Sequence, residues 1–302
     1  MEAILGLAYS PPIQITSYFI ISILFFIALL GFQLGLSIIL GIYSIASLTN
    51  SIDWIISKVA QAIRFLFPEI ISKIEENLRK TFVFHGDAKE AGLYIWHPHG
   101  LWATSPLIHC IMQQGTNSYK MPLATLSIFF RLPILRDIIR WFGFVDNNYK
   151  SLKKNLEDNN AVSLVVGGVE EMFYQESKKM YLVLNNRKGY LKLALETKKP
   201  LIPVLTFGEN ELYKASPMLN TDFNRFCKKY LGIVFPFVTW ESFIQWKKIA
   251  YEPLETVNTY VGEAIIPQEN ETLESLGSRY KEALQELFEK NKPDDEHTLT
   301  FI

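Results

Sequence analysis

The sequence predicts an α/β domain preceded by a helical hairpin embedded in a membrane. From about residue 81, short apolar runs alternate with stretches of helical spacing, which is typical of parallel strands joined by right-handed crossovers. Residues 17–48 are almost all apolar, and no charged residue lies between Glu2 and Asp53. These observations divide the chain into three parts: a membrane anchor over 1–52, an interfacial helix over 53–80 and the α/β domain over 81–302.

The length of the apolar run favours a hairpin. A helix through residues 17–48 would measure roughly 48 Å at about 1.5 Å per residue, whereas the bilayer core is about 30 Å thick. A bend near Gly31 and Gly35 solves this mismatch, a strongly tilted single span is the alternative, and a buried helical pair in a soluble protein is the third reading. Lys58 and Arg64 follow the run, and this positive charge predicts that the downstream domain faces the cytoplasm.

Composition excludes several classes of protein. Hydrophobic residues make up 49% of the 302 residues and charged residues 20%, and the net charge is -1. No general field therefore attracts nucleic acid. The two cysteines, Cys110 and Cys227, form neither a disulfide framework nor a metal-site spacing.

The pattern of the α/β part assigns most of its elements. Strands are predicted over 81–84, 93–96, 122–128, 161–166, 181–184, 200–207 and 261–266. Helices are predicted over 102–112, 134–142, 149–156, 186–198 and 270–289. Most of 214–260 resists assignment, and the polar end from Asn291 is predicted to fray.

Two histidines follow a predicted buried strand. His97 and His99 are separated by Pro98, which stiffens the chain, and followed by Gly100, which can adopt backbone angles closed to other residues. Histidine titrates near neutral pH and is the usual general base in proteins. The alternative is a pair of hydrogen-bonded surface residues in a turn.

Three stretches now stand in order: WHPHG at 96–100, VVGGVEEM at 165–172, and NNRKGYLKLALETKKPLIPVLTFGEN at 185–210. Together they resemble the diacylglycerol acyltransferase 2 family, which includes monoacylglycerol and wax-alcohol acyltransferases. The resemblance covers most of residues 80–290. It implies a glycerophosphate-acyltransferase-like mixed sheet flanked by helices, and transfer of a fatty acyl group from acyl-CoA to a neutral lipid hydroxyl at the endoplasmic reticulum or lipid droplet.

The histidine motif departs from the His-Asp pair of glycerophosphate-type acyltransferases, because the residue five after His99 is Thr104. We expect Glu171, or else Glu170, to orient the imidazole, since both follow the break at Gly167 and Gly168 after a predicted strand. Loops after parallel strands gather at one edge of a sheet. A helix start, where carboxylates are favourable in any case, is the alternative explanation.

A cationic loop follows in the sequence. Arg187, Lys188 and Gly189 open a predicted helix, an arrangement that suits the phosphates of coenzyme A. A solvated basic face explains the same residues almost as well. Glu209 and Asn210 belong to the Phe-Gly-Glu-Asn element and are expected near the substrate, although loop capping explains them too.

The predicted partners are acyl-CoA as co-substrate, a neutral lipid acceptor and the bilayer, with no bound cofactor, metal or nucleic acid; a homo-oligomer is left open. Diacylglycerol is the favoured acceptor, with a monoacylglycerol, wax alcohol, sterol or lysophospholipid as alternatives. The acidic Gly-Gly-Val-Glu-Glu loop argues against a phosphate-bearing acceptor. The competing classes are a zinc hydrolase, suggested by the His-x-His spacing, and a lipid-droplet hairpin binding protein.

Overall fold

The computed structural model describes residues 52–86, 90–112 and 121–302. The predicted anchor over 1–52 lies almost entirely outside these ranges. Within them, no helix has both the length and the apolar character needed to cross a bilayer. The described chain divides after Gln61, and Ala62–Ile302 forms a compact second unit.

The predicted interfacial segment over 53–80 is helical but divided. Helix α1 covers Ile52–Leu66 and helix α2 covers Pro68–Thr81, with a break at Phe67. Proline lacks an N–H donor and is tolerated in the first turn of a helix but not in its interior. Pro68 therefore starts a second helix, whereas the apolar periodicity alone predicted a single continuous helix over 53–80.

The second unit is built on a five-stranded mixed sheet, which confirms the predicted mixed sheet flanked by helices. Its strands are β1 (Phe82–His85), β2 (Leu93–His97), β5 (Val162–Leu164), β7 (Leu201–Phe207) and β8 (Val257–Val261), in the order β1-β8-β7-β2-β5. All neighbours pair in parallel except β7 and β8, which are antiparallel. The predicted strand over 261–266 is therefore placed too late in the sequence.

Two smaller sheets complete the strands. β3 (Ala124–Thr125) pairs with β4 (Val145–Asp146), and β6 (Lys179–Leu182) pairs in parallel with β9 (Thr298–Phe301). The prediction that the chain frays from Asn291 is therefore wrong. The reason is that Leu299 and Phe301 of β9 pack against the main core of buried residues, which outweighs the polar character of the segment before them.

The remaining helices surround the sheet: α3 (Thr104–Met112), α4 (Leu135–Trp141), α5 (Tyr149–Glu157), α6 (Gly189–Thr197), α7 (Asp222–Leu231), α8 (Trp240–Lys247) and α9 (Leu273–Asn291). The segment that resisted assignment thus holds α7, α8 and the start of β8. Short 3₁₀ turns link several of these elements.

Strand β2 lies at the centre of the core because both of its faces are covered. Leu93 and Ile95 pack into a cluster with Leu284 and Phe288 of α9, whereas Tyr94 and Trp96 belong to a second cluster on the other face. Successive side chains of a strand point to opposite faces. A strand buried on both sides is a rigid support for whatever follows its carboxyl end.

Candidate active site

The histidine motif begins at the last residue of β2. His97 is the last residue of the strand, and the peptide bond between His97 and Pro98 is cis. Gly100 has a φ of +59°, and an added Cβ there would lie 2.7 Å from the Cγ atom of Glu209. Glycine is therefore required at this position for both its backbone angle and its lack of a side chain.

His97 belongs to the interior of the domain. Its side chain is fully buried, and its Nε2 atom lies 2.9 Å from the hydroxyl oxygen of Tyr280 on α9. Burial lowers the pKa of His97 to about 3. The ring is consequently neutral at neutral pH and ties β2 to α9 through Tyr280.

His99 is half-buried and has the geometry of a base. Its Nδ1 atom lies 2.9 Å from the carbonyl oxygen of Gly100. Because a carbonyl oxygen only accepts hydrogen bonds, Nδ1 carries the proton and Nε2 presents its lone pair. Burial lowers the pKa of His99 below its ordinary value, although the hydrogen bond to Gly100 opposes this shift, so the imidazole is neutral at neutral pH.

Glu171 contacts the motif through the main chain and not through the imidazole. It lies in a 3₁₀ helix over Gly168–Phe173. Its Oε2 atom accepts a hydrogen bond of 2.7 Å from the N–H of His99, and its Oε1 atom accepts one of 2.8 Å from the N–H of Val183. The expected contact between a carboxylate and the imidazole is therefore replaced by the Gly100 carbonyl, and Glu171 fixes the backbone that carries the ring.

The environment of Glu171 depends on Gly167. The carboxyl group is buried, which raises its pKa to about 7 against the opposing effects of the two N–H donors and of Arg187. A Cβ atom on Gly167 would lie 1.9 Å from the carboxyl carbon of Glu171. Only glycine leaves room for this carboxylate.

Glu170 points the other way and faces cations. Its two carboxylate oxygens lie 3.3 Å from a guanidinium nitrogen of Arg187 and 3.4 Å from the Nζ atom of Lys228. It contacts neither histidine through any hydrogen bond in the described part of the chain. Of the two candidate carboxylates, Glu171 is therefore the one bound to the histidine motif.

The cationic loop borders an open cleft of about 510 Å³. Arg187, Lys188 and Gly189 line it, together with Gly168 and Tyr190. Helix α6 begins at Gly189 without a side-chain cap from Lys188, and uncapped N–H groups at a helix start favour anions. His99 is not among the described residues that line this cleft.

Glu209 caps a helix. Its Oε1 atom accepts a hydrogen bond of 2.7 Å from the N–H of Thr104. Its Oε2 atom accepts a hydrogen bond of 3.0 Å from the N–H of Ser105 and another from the Ser105 hydroxyl. Burial raises the pKa of Glu209 to about 7. Asn210 donates a hydrogen bond of 3.1 Å to the carbonyl oxygen of Lys179. These contacts give both residues a role in holding loops and helix α3.

Tyr280 contacts the histidine motif, and the sequence pattern does not predict this contact. Its hydroxyl lies beside His97, and its ring lies 5.4 Å, centroid to centroid, from that of Tyr190, which lines the cleft. The apolar residues at helical spacing over 270–289 predict Tyr280 only as a core residue. A buried phenol needs a hydrogen-bond partner, which is the clue that sequence reasoning could have used.

These features define an α/β enzyme-like domain in which a neutral imidazole is fixed after a buried strand. Comparison with known proteins makes this more specific. Residues 77–299 match the family model described as diacylglycerol acyltransferase. The chain belongs to the diacylglycerol acyltransferase family, which indicates an acyltransferase enzyme.

Individual relatives agree with this family. Diacylglycerol O-acyltransferase 2 of Dictyostelium discoideum is 30% identical over 222 residues, covering 68% of this chain and 67% of that protein. The human protein of the same name is 32% identical over 220 residues, covering 66% and 56%, and human 2-acylglycerol O-acyltransferase 3 is 31% identical over 218 residues, covering 65% and 63%. The matched region thus spans between about half and two thirds of these relatives.

Among solved structures, the 1-acyl-sn-glycerophosphate acyltransferase PlsC from Thermotoga maritima is similar with a TM-score of 0.44 and 14% sequence identity. This similarity covers 82% of the present chain and 97% of PlsC.

Proposed function

We propose that the protein is an acyl-CoA-dependent O-acyltransferase that esterifies a neutral lipid hydroxyl, with diacylglycerol as the favoured acceptor. The observation that carries this proposal is His99, whose Nδ1–H bonds to the Gly100 carbonyl and whose Nε2 is therefore a free base. Membership of the family supplies the reaction class. A neutral histidine suits a reaction in which a weakly acidic alcohol must lose its proton as it attacks.

In this reaction Nε2 of His99 accepts the proton of the acceptor hydroxyl while the hydroxyl oxygen attacks the thioester carbonyl carbon. The tetrahedral intermediate then collapses, the carbon–sulfur bond breaks, and the sulfur leaves with the proton returned from His99. The products are the ester and free coenzyme A, and the imidazole is neutral again. No acyl-enzyme is required, because donor and acceptor react directly.

We assign the cleft beside α6 to coenzyme A. Arg187 offers a fork of N–H donors that matches a phosphate, and the uncapped N–H groups at Gly189 add a fixed positive dipole. Lys188 forms an exposed ion pair with Glu274 at 3.2 Å. Such a pair is worth little, so Lys188 is available to an anion.

Replacing Arg187 by glutamine is therefore expected to raise the KM for acyl-CoA about tenfold, the effect of losing one charge-assisted hydrogen bond of about 1.4 kcal/mol, with kcat reduced much less. Steady-state kinetics at two salt concentrations would measure this. Lys154→Gln is the matched control, because Lys154 is exposed on α5 and its charge is removed in the same way. A loss confined to kcat would contradict the assignment.

The loop that holds Glu170 and Glu171 bears on the chemistry of the acceptor. The carboxyl group of Glu171, which accepts a hydrogen bond from the N–H of His99, disfavours an acceptor that carries its own phosphate, and this supports an uncharged lipid over a lysophospholipid. Similarity to a 2-acylglycerol O-acyltransferase as well as to diacylglycerol O-acyltransferases keeps a monoacylglycerol as the second candidate. A wax alcohol and a sterol present the same single hydroxyl on an apolar body.

We further propose that residues 1–52 anchor the protein in the endoplasmic reticulum membrane, with the domain facing the cytosol and access to lipid droplets. The charge-free run and the basic residues that follow it support this topology. The zinc hydrolase and the lipid-droplet hairpin binding protein are the alternatives to the proposed acyltransferase activity.

The test is to incubate membranes that carry the full chain with labelled oleoyl-CoA and a panel of neutral acceptors. We expect one labelled neutral ester, triacylglycerol from diacylglycerol, with release of free coenzyme A in equal amount. Label only in phospholipid would reassign the acceptor. No product with any acceptor, from protein that binds membranes normally, would favour the binding protein, and activity lost to a chelator would favour the zinc enzyme.

A further inference from the structure

Helix α7 carries its apolar stripe on the side turned away from the domain. Phe223, Phe226 and Tyr230 are spaced as one helix face, and they are 57%, 56% and 63% exposed. The inward side of the helix instead holds Asn224 and Cys227, which are buried. A surface helix of a globular domain normally buries its apolar stripe, so α7 is inverted.

The inverted orientation is fixed by hydrogen bonds from the buried side. The side-chain amide of Asn224 donates hydrogen bonds of 3.1 Å to the carbonyl oxygen of Leu219 and 3.0 Å to that of Phe235. Its oxygen accepts a hydrogen bond of 3.0 Å from the N–H of Phe235. Phe235 also stacks on Phe223 with ring centroids 5.6 Å apart. We name Phe223, Phe226, Tyr230 and Phe235 the aromatic face.

Cations flank this aromatic face on the same helix. Lys229 places its Nζ atom 5.1 Å from the ring centroid of Tyr230. Arg225 forms an ion pair of 3.4 Å with Asp222, but both side chains are largely exposed, so the pair is weak. Lys228 turns inward to Glu170, at 3.4 Å. Positive charge therefore borders exposed aromatic rings, beside the loop that also carries Glu171.

We propose that the aromatic face of α7 lies in the interfacial layer of a bilayer, with Arg225 and Lys229 on anionic lipid headgroups. A helix of 10 residues is about 15 Å long and is too short to span a membrane. Aromatic rings concentrate at the headgroup level, and basic amphipathic helices lie in the membrane plane. Each cation near an anionic leaflet contributes to binding. This contact is separate from the proposed anchor and does not depend on the proposed reaction.

The experiment measures the depth of single side chains in the full chain reconstituted into vesicles. A nitroxide is attached at Phe226→Cys, and a matched nitroxide at Ile266→Cys, an exposed apolar position outside α7 that is 62% exposed in the native protein. The native Cys110 and Cys227 are buried, and the unsubstituted protein gives the background of labelling. We expect a high ratio of oxygen to nickel-complex accessibility for the label at 226, because the water-soluble nickel complex is excluded from the bilayer, and a low ratio for the label at 266.

The lipid composition tests the role of the cations. Vesicles of phosphatidylcholine with phosphatidylserine should bury the label at 226 more deeply than phosphatidylcholine alone. Arg225→Gln with Lys229→Gln should remove this difference, whereas Lys154→Gln with Lys290→Gln, two exposed lysines elsewhere, should retain it.

Three results would overturn the proposal. The first is equal exposure of positions 226 and 266 to the nickel complex. The second is protection at 226 that is the same in both lipid compositions. The third is spin–spin broadening at 226 that disappears when unlabelled protein is added, since this would assign the aromatic face to a second copy of the chain.

Discussion

Replacing His99 by alanine is expected to lower acyl transfer by about 10²–10⁴-fold, the range that a positioned general base contributes. The imidazole is held by a hydrogen bond of its own Nδ1–H to the Gly100 carbonyl, so its removal leaves the surrounding strand and helix intact. Membrane association and thermal unfolding should therefore be unchanged. The measurement is release of coenzyme A from acyl-CoA in the presence of the acceptor identified by the panel.

His85→Ala is the matched control for this substitution. His85 lies at the end of β1, is exposed, and contacts Asn258 at 2.9 Å and the ring of Tyr260. Its loss removes an imidazole of similar size without touching the histidine motif, so activity should be retained. Full turnover by the His99 variant would rule out His99 as the base.

The pH dependence of the same reaction follows from the lowered pKa of His99. A base must be unprotonated, so the rate falls as the pH falls through this pKa. Because burial places the pKa below the ordinary value of 6.5, kcat/KM should stay high at pH 6.5 and decline only at lower pH. The His99→Ala variant should lack this acid limb, and an acid limb that is unchanged in the residual activity of that variant would contradict the assignment.

The sequence predicts the parts of this molecule that depend on local chain chemistry. The strand before His97 and the turn at Gly100 follow from an apolar run interrupted by proline and glycine, and the cationic start of α6 follows from adjacent basic residues. Their position at one edge of the sheet follows from parallel pairing. The contact between Glu171 and the N–H of His99 could not be predicted in the same way, because its atoms are brought together by the packing of two separate loops.

The missed elements have a different cause. Periodicity finds the apolar stripe of a helix but does not say whether that stripe faces the core, so the sequence does not show that α7 has Asn224 inside and Phe226 outside. Tyr280 is predicted only as a core residue, because the same periodicity describes a buried ring whether or not its hydroxyl contacts the histidine motif. Strand β9 is only four residues long and follows a charged segment, and its pairing with β6 depends on contacts remote in sequence.

Replacing Gly167 by alanine is expected to lower kcat by roughly 10–100-fold, because the new methyl group would overlap the carboxyl group of Glu171 and displace it. The φ of Gly167 is -63°, an angle that alanine adopts freely, so the effect is one of space alone. Displacement would leave the N–H groups of His99 and Val183 without their acceptor, at a cost of about 1–3 kcal/mol each where they stay buried.

A double-mutant cycle separates this positioning role from a general loss of stability. If Gly167 acts only by leaving room for Glu171, then Gly167→Ala should cost little further activity in a Glu171→Ala background, and the two changes should be strongly non-additive in kcat. Gly277→Ala on α9 is the control, since its methyl group would meet only the end of the Leu191 side chain at 3.2 Å. The KM for acyl-CoA should stay near its native value in all four proteins of the cycle. Additive losses, or a rise in that KM without a fall in kcat, would show that Glu171 does not act through the backbone of His99.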